Sequence, residues 1–173
     1  MCLLIGATGV GKTLLLKREK SGDRTVMKSN CPMSYQQVGT NLTDLTLKKK
    51  KVTIRELGGC MGPIWPSYYS DCSSFVVDSA NINQVSSSCI QLLSVLSAEL
   101  LQGASILVVF NKIDIPCPMT IMEMKSLFRL DDIIASALQS VTVLELSARS
   151  GQGLQKVLDW LESTERSAVE QHM

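Results

Sequence analysis

The stretch Gly6-Ala7-Thr8-Gly9-Val10-Gly11-Lys12-Thr13 fits GxxxxGK(S/T) in full and constrains the fold more than any other part of the chain. It lies directly between an apolar run, Met1 to Ile5, and a stretch of good helix formers, Lys12 to Lys20. Strand, glycine-rich turn and helix start in that order make a phosphate cradle. The glycines let successive backbone N–H groups point inward, and the helix N-terminus adds partial positive charge. Gly6, Ala7, Thr8, Gly9, Val10 and Gly11 then wrap a phosphate chain, Lys12 reaches its β- and γ-phosphates, and the Thr13 hydroxyl ligates magnesium. An ordinary glycine turn is the alternative, and the position and context of the octet weigh against it.

The rest of the chain alternates in period. Ser21 to Gln37 has little periodicity and reads as a long loop, of the kind that usually carries function. Leu42 to Leu47 and Val52 to Leu57 flank Lys48, Lys49, Lys50 and Lys51 as a hairpin. Gly58 to Tyr69 is a second irregular segment, followed by a strand at Phe75 to Val77. Val85, Cys89, Leu92, Leu93, Leu96 and Leu100 keep helical spacing through a serine-rich stretch. A strand at Ile106 to Phe110 precedes a helix that opens with Thr120 and Glu123 in capping-box register. Val141 to Leu146 is the last strand, and Gly151 opens a helix with the apolar face Leu154, Val157, Leu158 and Leu161. These elements predict one α/β domain over residues 1–173, with a mostly parallel six-stranded sheet, one antiparallel edge strand and helices on both faces.

Composition narrows the partners. With 173 residues, 45% hydrophobic and 19% charged, a packed core needs no staples. Lys and Arg number 17 against 16 acids, so net charge drives no binding to nucleic acid. The cysteines Cys2, Cys31, Cys60, Cys72, Cys89 and Cys117 form no CxxC pair and the lone histidine is His172, which argues against zinc and a disulfide framework. No apolar run approaches the ~18 residues of a membrane span, and no leader pattern is seen. A monomer in a reducing, cytoplasmic setting is expected.

The base is chosen elsewhere. Asn111-Lys112-Ile113-Asp114 follows the strand Ile106 to Phe110 at the ligand-binding end of such sheets. Here the chain resembles the Ras-like GTPase superfamily, in which this box holds guanine within a P-loop NTPase G domain. The resemblance implies GTP and GDP as ligands, with Asp114 accepting hydrogen bonds from N1–H and the exocyclic amine. Adenine lacks that pair and would leave a buried carboxylate unpaired. Ser147-Ala148-Arg149 resembles the SAK box that supports the base, with Arg149 in place of lysine.

Between these boxes the chain is similar to the ADP-ribosylation-factor-like branch. Val38-Gly39-Thr40-Asn41-Leu42 resembles its TxGFN switch I segment, Arg55-Glu56-Leu57-Gly58-Gly59-Cys60 its WDVGGQ switch II segment, and Val77-Asp78-Ser79 its VVDS strand end. This implies a GTP-dependent switch that regulates protein effectors in intracellular membrane or ciliary trafficking. Effectors would meet Asn30 to Thr40 and Gly58 to Tyr69, with Trp65, Tyr68 and Tyr69 as anchors or, equally, as packing under the loop.

The departures matter as much. Gln37 stands where a magnesium-binding threonine is expected, and Thr40 is the nearest substitute. Glu56 replaces the aspartate that holds magnesium through water, so Thr13, Thr40 and Glu56 are the metal candidates. Gly59 keeps the N–H that meets the γ-phosphate, and with Lys12 completes the catalytic set. Cys60 replaces the glutamine that orients the attacking water, and a thiol is too short and too weak a hydrogen-bonding group for that work, so hydrolysis is expected to be slow. The opposite reading is that another group does the job. No counterpart to the family's acylated glycine is seen, so no myristoylation is expected. Cys2 could be palmitoylated or simply buried, and Lys48 to Lys51 could touch acidic lipid or merely solvate a hairpin tip. A constitutive GTP-bound scaffold is the second functional reading. A phosphotransferase is the third, and it leaves the Asn111–Asp114 box unexplained.

Overall fold

The computed structural model describes residues 1–21, 39–47, 51–69 and 72–170. Six strands form one sheet in the order β2-β3-β1-β4-β5-β6: β1 (Cys2–Gly6), β2 (Thr40–Thr46), β3 (Lys51–Leu57), β4 (Cys72–Asp78), β5 (Ser105–Asn111) and β6 (Ser140–Glu145). β2 pairs with β3 antiparallel, from Thr40 opposite Leu57 to Thr46 opposite Lys51, and the other neighbours pair in parallel. The helices are α1 (Lys12–Ser21), α2 (Ile82–Leu96), α3 (Ile121–Leu127), α4 (Leu130–Ser136) and α5 (Leu154–Glu170).

The continuous apolar runs of the central strands follow from burial on both faces. In β1, Cys2 and Leu4 join Leu15 and Leu16 of α1 and Val157 and Leu161 of α5. Leu3 and Ile5 turn to the other face, against Val85, Leu92 and Val95 of α2 and Met124 of α3. The sheet is therefore fixed from both sides, and all parallel strands end toward the same edge, where the loops carrying the motifs lie.

Four local expectations change. Gly58 to Tyr69 is not irregular: Gly59–Tyr68 is a 3-10 helix kinked at Met61, where φ is −92° and ψ is 16°. Pro63 and Pro66 lie inside it, and proline's fixed φ suits 3-10 geometry while barring a regular α-helix. α2 stops at Leu96, so Leu100 sits in a separate turn, 76% exposed, and Leu93 is 44% exposed. The buried row is instead Val85, Ser88, Leu92 and Val95, in which polar Ser88 disguises the stripe. β4 begins earlier than its apolar centre, at Cys72. α4 was not expected, and it is set off from α3 by Arg129 in the left-handed region, φ 51°. The Thr120–Glu123 capping box is present in both directions. Most of the expected loop Ser21 to Gln37, with Gln37 and Cys31, and also Lys48 to Lys50 and His172, lie outside the described residues.

Candidate nucleotide site

The phosphate loop connects β1 to α1. Lys12 is 6% exposed, and its Nζ donates to the carbonyls of Gly6 at 2.8 Å and Ala7 at 2.9 Å. Burial pushes its ammonium down to about 8, against the opposing attraction of Glu56 and of Cys60. A buried cation held by two neutral carbonyl oxygens is suited to pair with stronger anions. Gly11 is obligatory for packing as well as for its φ of 99°, because a Cβ there would stand 2.4 Å from Asn111 Nδ2.

Thr13 and Glu56 meet across α1 and β3: the Thr13 hydroxyl donates to Glu56 Oε1 at 2.6 Å. Glu56 is 1% exposed, and its Oε2 is buried with no hydrogen-bond partner among the described residues. An orphaned carboxylate oxygen beside a hydroxyl fits a hard cation that takes oxygen ligands. No group of three or more His, Cys, Asp or Glu among the described residues is placed to hold a metal alone, so a cation at Thr13 and Glu56 would need further oxygen ligands from a bound phosphate. Thr40 opens β2, exposed and opposite Leu57, while Gly58 N–H donates to Gly39 O at 3.2 Å.

The base side is built on Asn111, 1% exposed at the end of β5. Its Nδ2 donates to Val10 O at 2.8 Å, and its Oδ1 accepts from Ala148 N–H at 2.9 Å. Lys112 takes a left-handed φ of 71° and pairs with Asp78 Oδ2 at 2.5 Å. Ser147 donates to Asp114 Oδ1 at 2.6 Å, fixing one carboxylate oxygen and leaving the other to accept from a purine. Asp114 is exposed rather than buried, so a seated base would have to supply its cover; Ser147 and Ala148 are buried and Arg149 is exposed.

Switch II closes on the loop from the other side. A Cβ on Gly59 would stand 2.2 Å from Thr8 N and 2.4 Å from Ala7 C, so this glycine lies directly on the phosphate loop. Cys60 follows and is exposed. For Trp65 the packing alternative holds. It is 3% exposed, edge-on to Phe75 at 6.3 Å, and its Nε1 donates to Gly58 O at 3.3 Å. It is core packing. Tyr68 and Tyr69 are half-buried, and Arg55 lies over the Tyr68 ring at 5.3 Å.

With this geometry in view, the comparisons decide the family. The model of the ADP-ribosylation factor family matches residues 1–165. The chain belongs to the ADP-ribosylation factor family. It is similar to ADP-ribosylation factor-like protein 16 of Homo sapiens, 56% identical over 172 residues that cover 96% of this chain and 87% of that protein. Identity to ADP-ribosylation factor-like protein 1 of Drosophila melanogaster is 32% over 169 residues, covering 95% and 88%. The Arl6 BBS3 small GTPase of Trypanosoma brucei, solved with the nucleotide analogue GppNp, matches with a TM-score of 0.78 over 96% of this chain and 98% of that one. At 20% identity that likeness shows the fold alone: the Ras-like small GTPase fold. As a member of the ADP-ribosylation factor family, the chain is a GTP-binding switch.

Three residues of this Arf-family site carried no role in the sequence reading. Asp78 and Ser79 stood only in a matched strand end, yet Asp78 holds Lys112 and Ser79 donates its hydroxyl to Asn111 O at 2.6 Å. Gln84 of α2 donates its Nε2 to Thr8 O at 3.2 Å. One glutamine on an amphipathic helix gives no signal in a single sequence. No helix among the described residues is long and apolar enough to cross a membrane.

Proposed function

We propose that this chain is a magnesium-dependent GTP switch with slow intrinsic turnover. In this reading it acts as a cytoplasmic monomer of one domain and regulates protein effectors in intracellular membrane or ciliary trafficking. The observation that carries the metal part is the Thr13–Glu56 contact with its buried, unpartnered Glu56 Oε2. Magnesium, when bound, offsets charge on the β- and γ-phosphates. This chain's own residues do the rest. The loop amides and Lys12 bind the phosphates, Asn111, Lys112 and Asp114 orient guanine, and Gly59 brings its N–H to the γ-phosphate side. The segments Asn30 to Thr40 and Gly58 to Tyr69 present a surface that differs between nucleotide states. Slow turnover follows from Cys60, whose thiol lacks the paired donor and acceptor of an amide.

A second reading, a GTP-bound scaffold with no turnover, shares the binding site and differs only at Cys60. Nucleotide content after purification, followed by single-turnover GTP hydrolysis with and without magnesium, separates the two. Bound guanine nucleotide with slow, magnesium-dependent hydrolysis is expected. Absence of guanine nucleotide, or GTP affinity undiminished by Lys12→Ala and Thr13→Asn, refutes the roles assigned here.

A further inference from the structure

A groove opens at the edge of the sheet away from the phosphate loop, beside the residues that lead into β5 and β6. Leu93 and Leu96 of α2 form one wall, Ile133, Ala137 and Leu138 around the end of α4 form the other, and the enclosed volume is about 320 Å³. Of the residues that line it only Gln139 is buried, at 6% exposed, so it forms the floor. Its Nε2 donates to Leu96 O at 2.9 Å. That bond fixes which way round the amide lies and makes Oε1 the free acceptor. The carbonyl ends of Gln84 and Gln91 are shut away from solvent, whereas Gln139 Oε1 is accessible and accepts no hydrogen bond among the described residues. The surroundings are uncharged. α2 holds no charged residue from Ile82 to Leu96, and no charged side chain lines the groove. Leu138 is 74% exposed, and Ile90, one turn before Leu93 on α2, is 69% exposed, so apolar surface continues past the rim.

We propose that this groove docks a partner polypeptide by one tryptophan, whose indole N–H donates to Gln139 Oε1. The complement of such a surface is neutral, largely apolar, extends beyond the cavity and brings one donor. Indole is the side chain that joins a large apolar body to a single donor and no acceptor, and tryptophan is prominent among the anchors that carry binding energy. Lysine or arginine would find no carboxylate here. A lipid acyl chain would desolvate Oε1 and leave it unpaired. A second copy of this chain does not serve, because its tryptophans, Trp65 and Trp160, both pack against its own core. The nucleotide motifs stand at the other edge of the sheet, so docking here is the same whichever nucleotide is bound, and it goes beyond the switch reading without needing it.

The test uses N-acetyltryptophanamide, an uncharged tryptophan with a peptide backbone on both sides, titrated into the full chain while the methyl groups are followed by NMR. Saturable shifts of Leu93, Leu96, Ile133 and Leu138 are expected, and equally so with GDP or a GTP analogue bound. Methylating the indole nitrogen of the probe removes the donor and should weaken binding about three- to tenfold. In Gln139→Met the two probes should bind alike, which ties the donor to that acceptor. Leu138→Asp, at an exposed position, should abolish the shifts and keeps the test open if Gln139→Met fails to fold. Absence of saturable shifts at these methyl groups overturns the proposal, as does equal binding of the two probes to the unmutated chain. Free indole binding more tightly than the capped residue also overturns it, by making the groove a small-molecule pocket.

Discussion

Asp78 holds Lys112 Nζ at 2.5 Å from a carboxylate that is 4% exposed, and their strands place Asp78 directly opposite Asn111. The pair anchors a lysine whose backbone sits at a φ of 71°, a region that side chains other than glycine enter at a cost. Replacing Asp78 with Ala strips a half-buried ammonium of its partner. Stability should fall by about 1–3 kcal/mol, and guanine nucleotide should leave faster. Denaturant unfolding and nucleotide release report the two effects, and an unchanged release rate would show that Lys112 needs no such anchor.

Asp114 is held through one oxygen by Ser147, and on the proposed function its other oxygen selects the base. Asp114→Asn should lower GTP affinity by roughly tenfold or more and raise affinity for the xanthine analogue, whose 2-oxo group accepts where guanine donates. Competition between the two triphosphates measures the exchange. Equal competition by ATP in the unmutated chain would remove the basis for the assignment.

Lys12 gives a pH dependence whose sign is fixed. In the ligand-free protein, burial brings its pKa from 10.5 to about 8, and phosphate charge raises it again on binding. Binding therefore takes up a proton above about pH 8, so affinity is flat below that pH and falls above it, by up to about tenfold per unit. By the same linkage the ligand-free fold gains stability as pH rises from about 8 toward 10.5. GTP titrations on either side of pH 8 check the first claim. Flat affinity above pH 8 would place the lysine's charge away from the phosphates.

Gly59→Ala puts a methyl group 2.2 Å from Thr8 N and 2.4 Å from Ala7 C, so backbone must shift. The 3-10 helix must then lift from the loop, at a cost of about 1–3 kcal/mol, and Trp65 should lose its edge contact with Phe75. Tryptophan fluorescence and thermal unfolding both read this. A wild-type spectrum and midpoint would mean that Gly59 does not seat on the loop.

The capping box offers a prediction remote from the site. Thr120→Ala should cost about 1 kcal/mol. Glu123, held by the Thr120 N–H and hydroxyl, has its carboxyl pKa lowered from 4.5. Its contribution is therefore complete above the unfolded value and disappears as pH falls through the lowered one. Glu123→Ala should destabilise at neutral pH and not in acid, which unfolding at two pH values tests.

Legibility followed the physics of each signal. The positions of Gly6 to Thr13 between β1 and α1, and of Asn111 to Asp114 at the end of β5, were readable because each segment is contiguous and follows an apolar strand. Strands β1 and β5 announced themselves as unbroken apolar runs because helices cover both faces. What failed was non-local or disguised. Ser88 hid the inner stripe of α2, and glycine with proline read as an irregular segment where they make a kinked 3-10 helix. Trp65 looked equally suited to interface and core until Phe75 and Gly58 O appeared beside it. Asp78 and Gln84 act across the sheet edge on partners 34 and 76 positions away, which no local pattern encodes.

The Asn111 amide, bonded at one end to Val10 and at the other to Ala148, fastens the phosphate loop to the base loop. On the proposed function, the site is in consequence a two-point clamp for its ligand. A ligand that seats its phosphates delivers its base to a pocket at fixed distance and high effective concentration, and the second contact forms at little further entropic cost. Guanosine alone or triphosphate alone would gain none of this. A break at Asn111 would turn one tightly held ligand into two weakly held fragments.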